Sequence, residues 1–157
     1  MERNKTIIVL AAIIICSLTQ AQIKSSGQIV ENVSSRITEI TVEDLNNKIG
    51  TDHQFILIDV RTEKEYLAGH IEKAIWVPRG FLEFKIQKIT SEPQSELILY
   101  CRAGSRSALS TETLIEMGFE NVLNLQGGFK EWVNNGYNIF NRHGELKVIN
   151  FEKKAGE

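Results

Sequence analysis

Short apolar runs alternate with amphipathic stretches from about residue 40 onward, and that alternation points to a fold class. Phe55-Ile56-Leu57-Ile58, Ala74 to Val77, Leu97-Ile98-Leu99-Tyr100 and Val122 to Leu125 are the strand candidates. Their hydrophobicity is continuous rather than alternating, which marks strands buried on both faces. Helical segments lie between them. Thr41, with Asp44 three residues on, resembles a capping box, and Ile40 with Leu45 forms a hydrophobic staple, so a short helix is expected over Val42–Ile49. Thr62 and Glu65 cap a second helix, with Tyr66 and Leu67 facing inward and Gly69 ending the turn. Gly80 to Thr90 carries Phe81, Leu82, Phe84, Ile86 and Ile89 and predicts a helix over the sheet, broken by Glu92-Pro93. Ser107 to Met117 reads as a helix closed by Gly118. Gln126-Gly127-Gly128 turns into a last helix with Phe129, Trp132 and Val133, ended by Asn135-Gly136. The series predicts an α/β domain with a parallel four- to five-stranded sheet and helices on both faces.

The two ends depart from this pattern. Arg3 and Lys5 precede an unbroken apolar run, Ile7–Cys16, followed by Ser17-Leu18-Thr19-Gln20-Ala21. A basic start, an apolar run and small residues are the order of a secretory signal peptide, cut after Ala21. The uncharged stretch Thr6–Ile23 would also serve as a retained anchor. Lipidation at Cys16 is disfavoured by bulky Ile15 before it. Residues 1–21 are therefore read as a signal peptide, and an exported, periplasmic or otherwise extracytoplasmic domain is expected. Residues 22–37 mix Ser, Gly, Gln and Asn with scattered apolar residues and read as a linker. The domain is set at 38–140. A C-terminal extension, 141–157, follows, in which Leu146, Val148 and Asn150 suggest an edge strand and Glu152 to Glu157 show no pattern.

Composition narrows the function. A chain of 157 residues with a net charge of −2 is one domain, with no electrostatic case for nucleic acid or an anionic membrane. The two cysteines are Cys16 and Cys101, so signal cleavage would leave Cys101 alone, without a disulfide or a resolving thiol. His53, His70 and His143 show no metal-ligand spacing, and neither a metal nor a cofactor is expected.

The chemistry gathers at residues 101–107. Leu97–Tyr100 runs straight into Cys101-Arg102-Ala103-Gly104-Ser105-Arg106-Ser107 and then a helix. Such a junction aims backbone N–H groups and the positive end of the helix dipole at the loop. Arg102 and Arg106 add permanent charge, and Gly104 is the position for a left-handed turn. A cysteine ending an apolar strand is ordinarily a small buried hydrophobe. Here the cationic loop favours the thiolate instead, poised to attack an atom of a bound oxyanion. Asp59 and Arg61, at the carboxyl end of another strand, either brace this loop through an ion pair or shape a surface turn. Arg79 stands where it would draw anions to the entrance. His70, in Gly69-His70-Ile71, suits a structural role better than that of a general base. Trp76 and Trp132 read as core or rim aromatics. Gly127-Gly128 lacks the Lys-Ser/Thr of a phosphate loop.

CRAGSRS (101–107) resembles the active-site loop of the rhodanese family, the thiosulfate sulfurtransferases. DVRTEKEYLAGHIEKAIWVP (59–78) resembles the family's upstream signature and MGFENVLNLQGGFKEW (117–132) its downstream one. The three stand in the family's order, and the resemblance spans roughly residues 38–139. Lys73 stands where the family usually has glycine, and Trp76 where it often has asparagine. The resemblance implies that Cys101 takes sulfur from a small-molecule donor as a persulfide, held by the N–H groups of Arg102 to Ser107. A thiol, cyanide or a protein then accepts the sulfur. It further implies a monomer with no cofactor, no nucleic acid and no membrane contact after signal cleavage. Two alternatives are a catalytically silent binding module and a cysteine-dependent phosphatase or arsenate reductase. Four residues separate Cys101 from Arg106, one fewer than the phosphatases that resemble this loop, which favours sulfur over phosphate.

Overall fold

The computed structural model describes residues 23–51 and 53–147. Five strands form one parallel sheet: β1 (Thr38–Ile40), β2 (Ile56–Asp59), β3 (Ile75–Trp76), β4 (Leu97–Tyr100) and β5 (Val122–Leu125), in the order β1-β5-β4-β2-β3. The central strand β4 is wholly buried, which is why its sequence is continuously apolar. Its register pairs Tyr100 with Asp59 of β2. The carboxyl ends of β2 and β4 therefore finish side by side, and the chain leaves both strands at one edge of the sheet, where α/β folds place ligands.

Among the described residues six α-helices accompany the sheet: α1 (Ser26–Ser34), α2 (Val42–Ile49), α3 (Glu63–Ala68), α4 (Leu82–Ile89), α5 (Ser105–Glu116) and α6 (Gly128–Asn134). Leu82 and Ile86 of α4 and Leu114 of α5 share one core with Ile58, Leu97 and Leu99. Val42 and Leu45 of α2 and Trp132 of α6 share the other with Leu57, Ile98 and Tyr100. Alternate strand residues thus feed opposite faces, and both faces are covered.

Several sequence expectations change. The linker read at 22–37 contains α1, opened by a full capping box between Ser25 and Gln28. Only Val33 of this helix is buried, so no hydrophobic period announced it. Thr38–Ile40 is an edge strand beside β5, with Ile40 as its buried residue. Leu67 does not face inward but is 53% exposed, because the six-residue α3 buries no side chain. A 3-10 turn, Arg79–Phe81, precedes α4, and Phe81 and Phe84 face solvent while Leu82 and Ile86 carry the packing. The α5 helix begins at Ser105, two residues before Ser107, because Gly104 turns the chain at φ 93. An antiparallel hairpin, β6 (Ile139–Asn141) and β7 (Gly144–Leu146), crosses the expected boundary at 140. Phe140 ties it to the domain by exchanging backbone hydrogen bonds with His70 at 2.8 Å each. The expected signal peptide and the remainder of the proposed edge strand, Val148 and Asn150, lie outside the described residues, as do residues 152–157.

Lys73 stands in the turn before β3 at φ 64, the one non-glycine residue with positive φ among the described residues. Its ammonium donates to Ile49 O at 2.9 Å. The left-handed conformation costs an L-residue about 1–2 kcal/mol. Glycine removes that cost but adds unfolded-state entropy and loses one exposed hydrogen bond. Lys73→Gly is expected to raise stability by about 0.5–1 kcal/mol, read as a higher urea midpoint at unchanged slope.

Candidate active site

β4 delivers Cys101 to the carboxyl end of the sheet, where it is 1% exposed. The loop after it is held from below by the start of α6. Phe129 N–H donates to Cys101 O at 2.8 Å, and Lys130 N–H donates to Arg102 O at 2.9 Å. Gly128 makes this contact possible: a Cβ there would lie 2.5 Å from Cys101 O and 2.9 Å from Gly104 N. With these carbonyls engaged by α6, N–H groups of the loop are left for the sulfur. Burial pushes the Cys101 thiol up, but the Ser107 hydroxyl and the N–H groups of Ser107, Ala103 and Arg106 outweigh it, and the thiol ends below its ordinary range. The Ser107 hydroxyl also reaches Gly104 O at 3.0 Å. It has one proton, so carbonyl and thiolate compete for it. The twelve-residue α5 directs its N-terminus at the same place.

Arg106 links the loop to α3. Its guanidinium donates to Glu65 Oε1 at 3.1 Å and Oε2 at 3.3 Å. Glu65 is gripped from the other side by the Thr62 N–H at 3.1 Å and Oγ1 at 2.7 Å. The bond from Arg106 leads in holding the Glu65 carboxyl down, at about 2. Arg106 is raised in turn, first by Glu65 and also by Cys101. One guanidinium therefore serves a carboxylate and a thiolate. Arg102, Ala103 and Ser105 are exposed around the loop.

Asp59 and Arg61 form a buried pair, with side chains 0% and 3% exposed. Arg61 Nε donates to both Asp59 oxygens at 3.0 Å, and Nη2 reaches Oδ2 at 2.6 Å and Gly69 O at 2.7 Å. Such burial excludes the surface-turn reading. The guanidinium carbon stands 3.9 Å from the centroid of the Phe129 ring. Because the Phe129 N–H holds Cys101 O, the pair is connected to the loop through Phe129.

The other candidates sort out by contact. His70 stacks on Tyr66 at 4.0 Å and its Nδ1 lies 3.0 Å from Tyr66 O, a structural setting. Trp76 donates to Arg61 O at 3.1 Å, and the Lys85 ammonium lies between the Trp76 and Phe81 rings, 5.6 and 5.5 Å from their centroids. Trp132 is core. Arg79 is exposed, its N–H on Val60 O. Among the described residues no His, Cys, Asp and Glu group is placed to hold a metal ion. Two contributors escaped the sequence reading. Glu65 was visible only as a capping residue, and Gly128 only as half of a glycine pair without a phosphate-loop sequel.

Comparison with known proteins agrees with this geometry. Residues 41–135 match the Rhodanese-like domain family. A protein named sulfurtransferase from Allochromatium vinosum is 30% identical over 103 residues, covering 66% of this chain and 94% of its own. A rhodanese-related protein from Thermoplasma volcanium superposes with a TM-score of 0.57 at 30% identity, over 65% of this chain and 96% of that one. A Rhodopseudomonas palustris protein of unknown function, described as a possible tyrosine phosphatase, gives a TM-score of 0.62 at 27% identity, over 76% and 97% of the two chains. The matched span runs from the cap of α2 to the end of α6 and contains the Cys101 loop together with the glycine that seats it, so the chain belongs to the rhodanese-like domain family.

Proposed function

We propose that the protein moves sulfane sulfur from a donor such as thiosulfate to a thiophilic acceptor through a persulfide on Cys101. The observation that carries this reading is a cysteine at the carboxyl end of β4, 1% exposed, in a loop whose Cys101 and Arg102 carbonyls are tied to α6 and which runs into the N-terminus of α5. In the first half-reaction the Cys101 thiolate attacks the outer sulfur of thiosulfate. The S–S bond to the sulfonate breaks, its electron pair leaves with sulfite, and Cys101 carries the sulfur. In the second, an acceptor thiol, cyanide or a protein nucleophile takes that sulfur and regenerates the thiolate, which gives ping-pong kinetics. The N–H groups of Arg102, Ala103, Gly104, Ser105, Arg106 and Ser107 form the pocket for the terminal sulfur. Asp59 and Arg61 keep the loop seated through Phe129. No separate general base is required, since the loop already supplies the thiolate. The sulfurtransferase name of the Allochromatium relative supports the reaction class.

A second reading comes from the resemblance to the possible tyrosine phosphatase. Against it stand the four-residue spacing from Cys101 to Arg106 and the commitment of Arg106 to Glu65, which leaves the guanidinium partly occupied. Intact mass separates the readings. Thiosulfate is expected to add one sulfur atom and cyanide to remove it, with aryl phosphate hydrolysis at background. Brisk phosphate hydrolysis without sulfur loading would put the phosphatase reading in its place. A folded domain inert in both assays would be a binding module.

A further inference from the structure

The charges around the Cys101 loop are unequally available. Asp59 and Arg61 cancel each other in the interior. Arg102 is exposed at the loop surface. Arg106, the cation that also interacts with Cys101, is already paired to Glu65 through two hydrogen bonds. Glu65 is no wandering surface carboxylate. It is the third residue of α3 and closes that helix's capping box, fixed by the Thr62 N–H and hydroxyl on one side and by Arg106 on the other. A carboxylate fixed beside the cradle's guanidinium removes much of the attraction that an incoming anion would feel, and adds repulsion of its own.

We propose that Glu65 is a specificity-determining residue of the sulfur-transfer site: by holding Arg106 it disfavours a doubly charged sulfur donor relative to an uncharged or singly charged one. This inference rests on the sulfur-transfer reading above. With thiosulfate, the Cys101 thiolate and the donor bring three negative charges together, and three leave as the persulfide anion and sulfite. With a thiol persulfide, R–S–SH, the thiolate forms a bond to the outer sulfur while the R–S bond to it breaks, and its electron pair leaves as R–S⁻. One negative charge enters and one remains, with no net oxidation or proton uptake. The two donors deliver the same sulfur, so charge at the cradle is the main difference that Glu65 senses.

Glu65→Gln removes the charge and keeps the capping box, because glutamine serves at the same position. Thiosulfate and hydroxyethyl persulfide are compared on the full-length protein, each with cyanide as acceptor. The readout is the ratio of kcat/KM for thiosulfate to that for the persulfide, in which any structural loss common to both donors cancels. The ratio is expected to rise about two- to fivefold in Glu65→Gln, the scale of a partly exposed ion pair, with the thiosulfate KM falling. A ratio that stays level shows that Glu65 does not discriminate between the donors, one that falls shows that it helps Arg106 to bind the dianion, and either overturns this inference alone. Failure of the wild-type protein to load sulfur from either donor overturns the sulfur-transfer reading and this inference with it.

Discussion

Cys101→Ser is expected to abolish sulfur loading and transfer while leaving the domain folded. The substitution exchanges sulfur for oxygen in a position 1% exposed, a small change in volume. The new hydroxyl meets the Ser107 hydroxyl and the N–H groups of Ala103, Arg106 and Ser107, so it is not buried without partners. The stability cost is therefore about 1 kcal/mol or less, and the urea midpoint moves little. The chemical loss is total, because an alcohol stays protonated near neutral pH under the same donors that suffice for a thiol, and its oxygen has little affinity for sulfane sulfur. Residues 22–157 contain no other cysteine, so none there can substitute. Intact mass after thiosulfate is expected to match the untreated mutant, and thiocyanate formation to fall to background. A mutant that still turned over thiosulfate would remove Cys101 from the mechanism.

The candidate site was legible in the sequence because its signal is local. A fully apolar strand, a cysteine and two arginines within six residues define the loop without knowledge of the rest of the chain. The α2 helix was equally legible, since the cap that Thr41 makes with Asp44 is written in the sequence. Elements with little burial were not. The α1 helix shows one buried residue and β1 one, so neither imposes a period, although the Ser25–Gln28 capping box is written in the sequence. Asp59 and Arg61 stayed ambiguous because a pair two residues apart fits a solvent-exposed turn as well as a buried bridge. Only the packing of Tyr100 and Phe129 over the guanidinium decides. Glu65 and Arg106 lie 41 residues apart, and the sheet brings α3 and α5 to one edge. No local pattern announces such a contact.

Gly128→Ala is expected to be among the most damaging single-methyl additions in the domain. Gly128 sits at φ 59, where an L-residue pays about 1–2 kcal/mol. Its Cβ would stand 2.5 Å from Cys101 O, 2.9 Å from Gly104 N and 3.1 Å from Ala103 N. All three are backbone atoms, so no side chain can swing aside and the loop itself must shift. Overpacking of this kind costs a further 1–3 kcal/mol, roughly. The total, about 2–5 kcal/mol, is a large share of a small domain's stability. The shift would also strain the bonds from Phe129 and Lys130 that seat the loop, and would move the Ala103 N–H, one of the donors that keep the thiol low. Cys101 should then alkylate more slowly at neutral pH as its thiolate fraction falls. Gly118→Ala supplies the control. Gly118 also has positive φ, at 99, but its Cβ would meet nothing within 4 Å. It carries the backbone cost alone, about 1–2 kcal/mol, and should leave the reactivity of Cys101 unchanged. Urea unfolding and iodoacetamide kinetics on the two variants test the account. Equal destabilisation together with equal thiol reactivity would show that the contact between Gly128 and the loop does not govern the site.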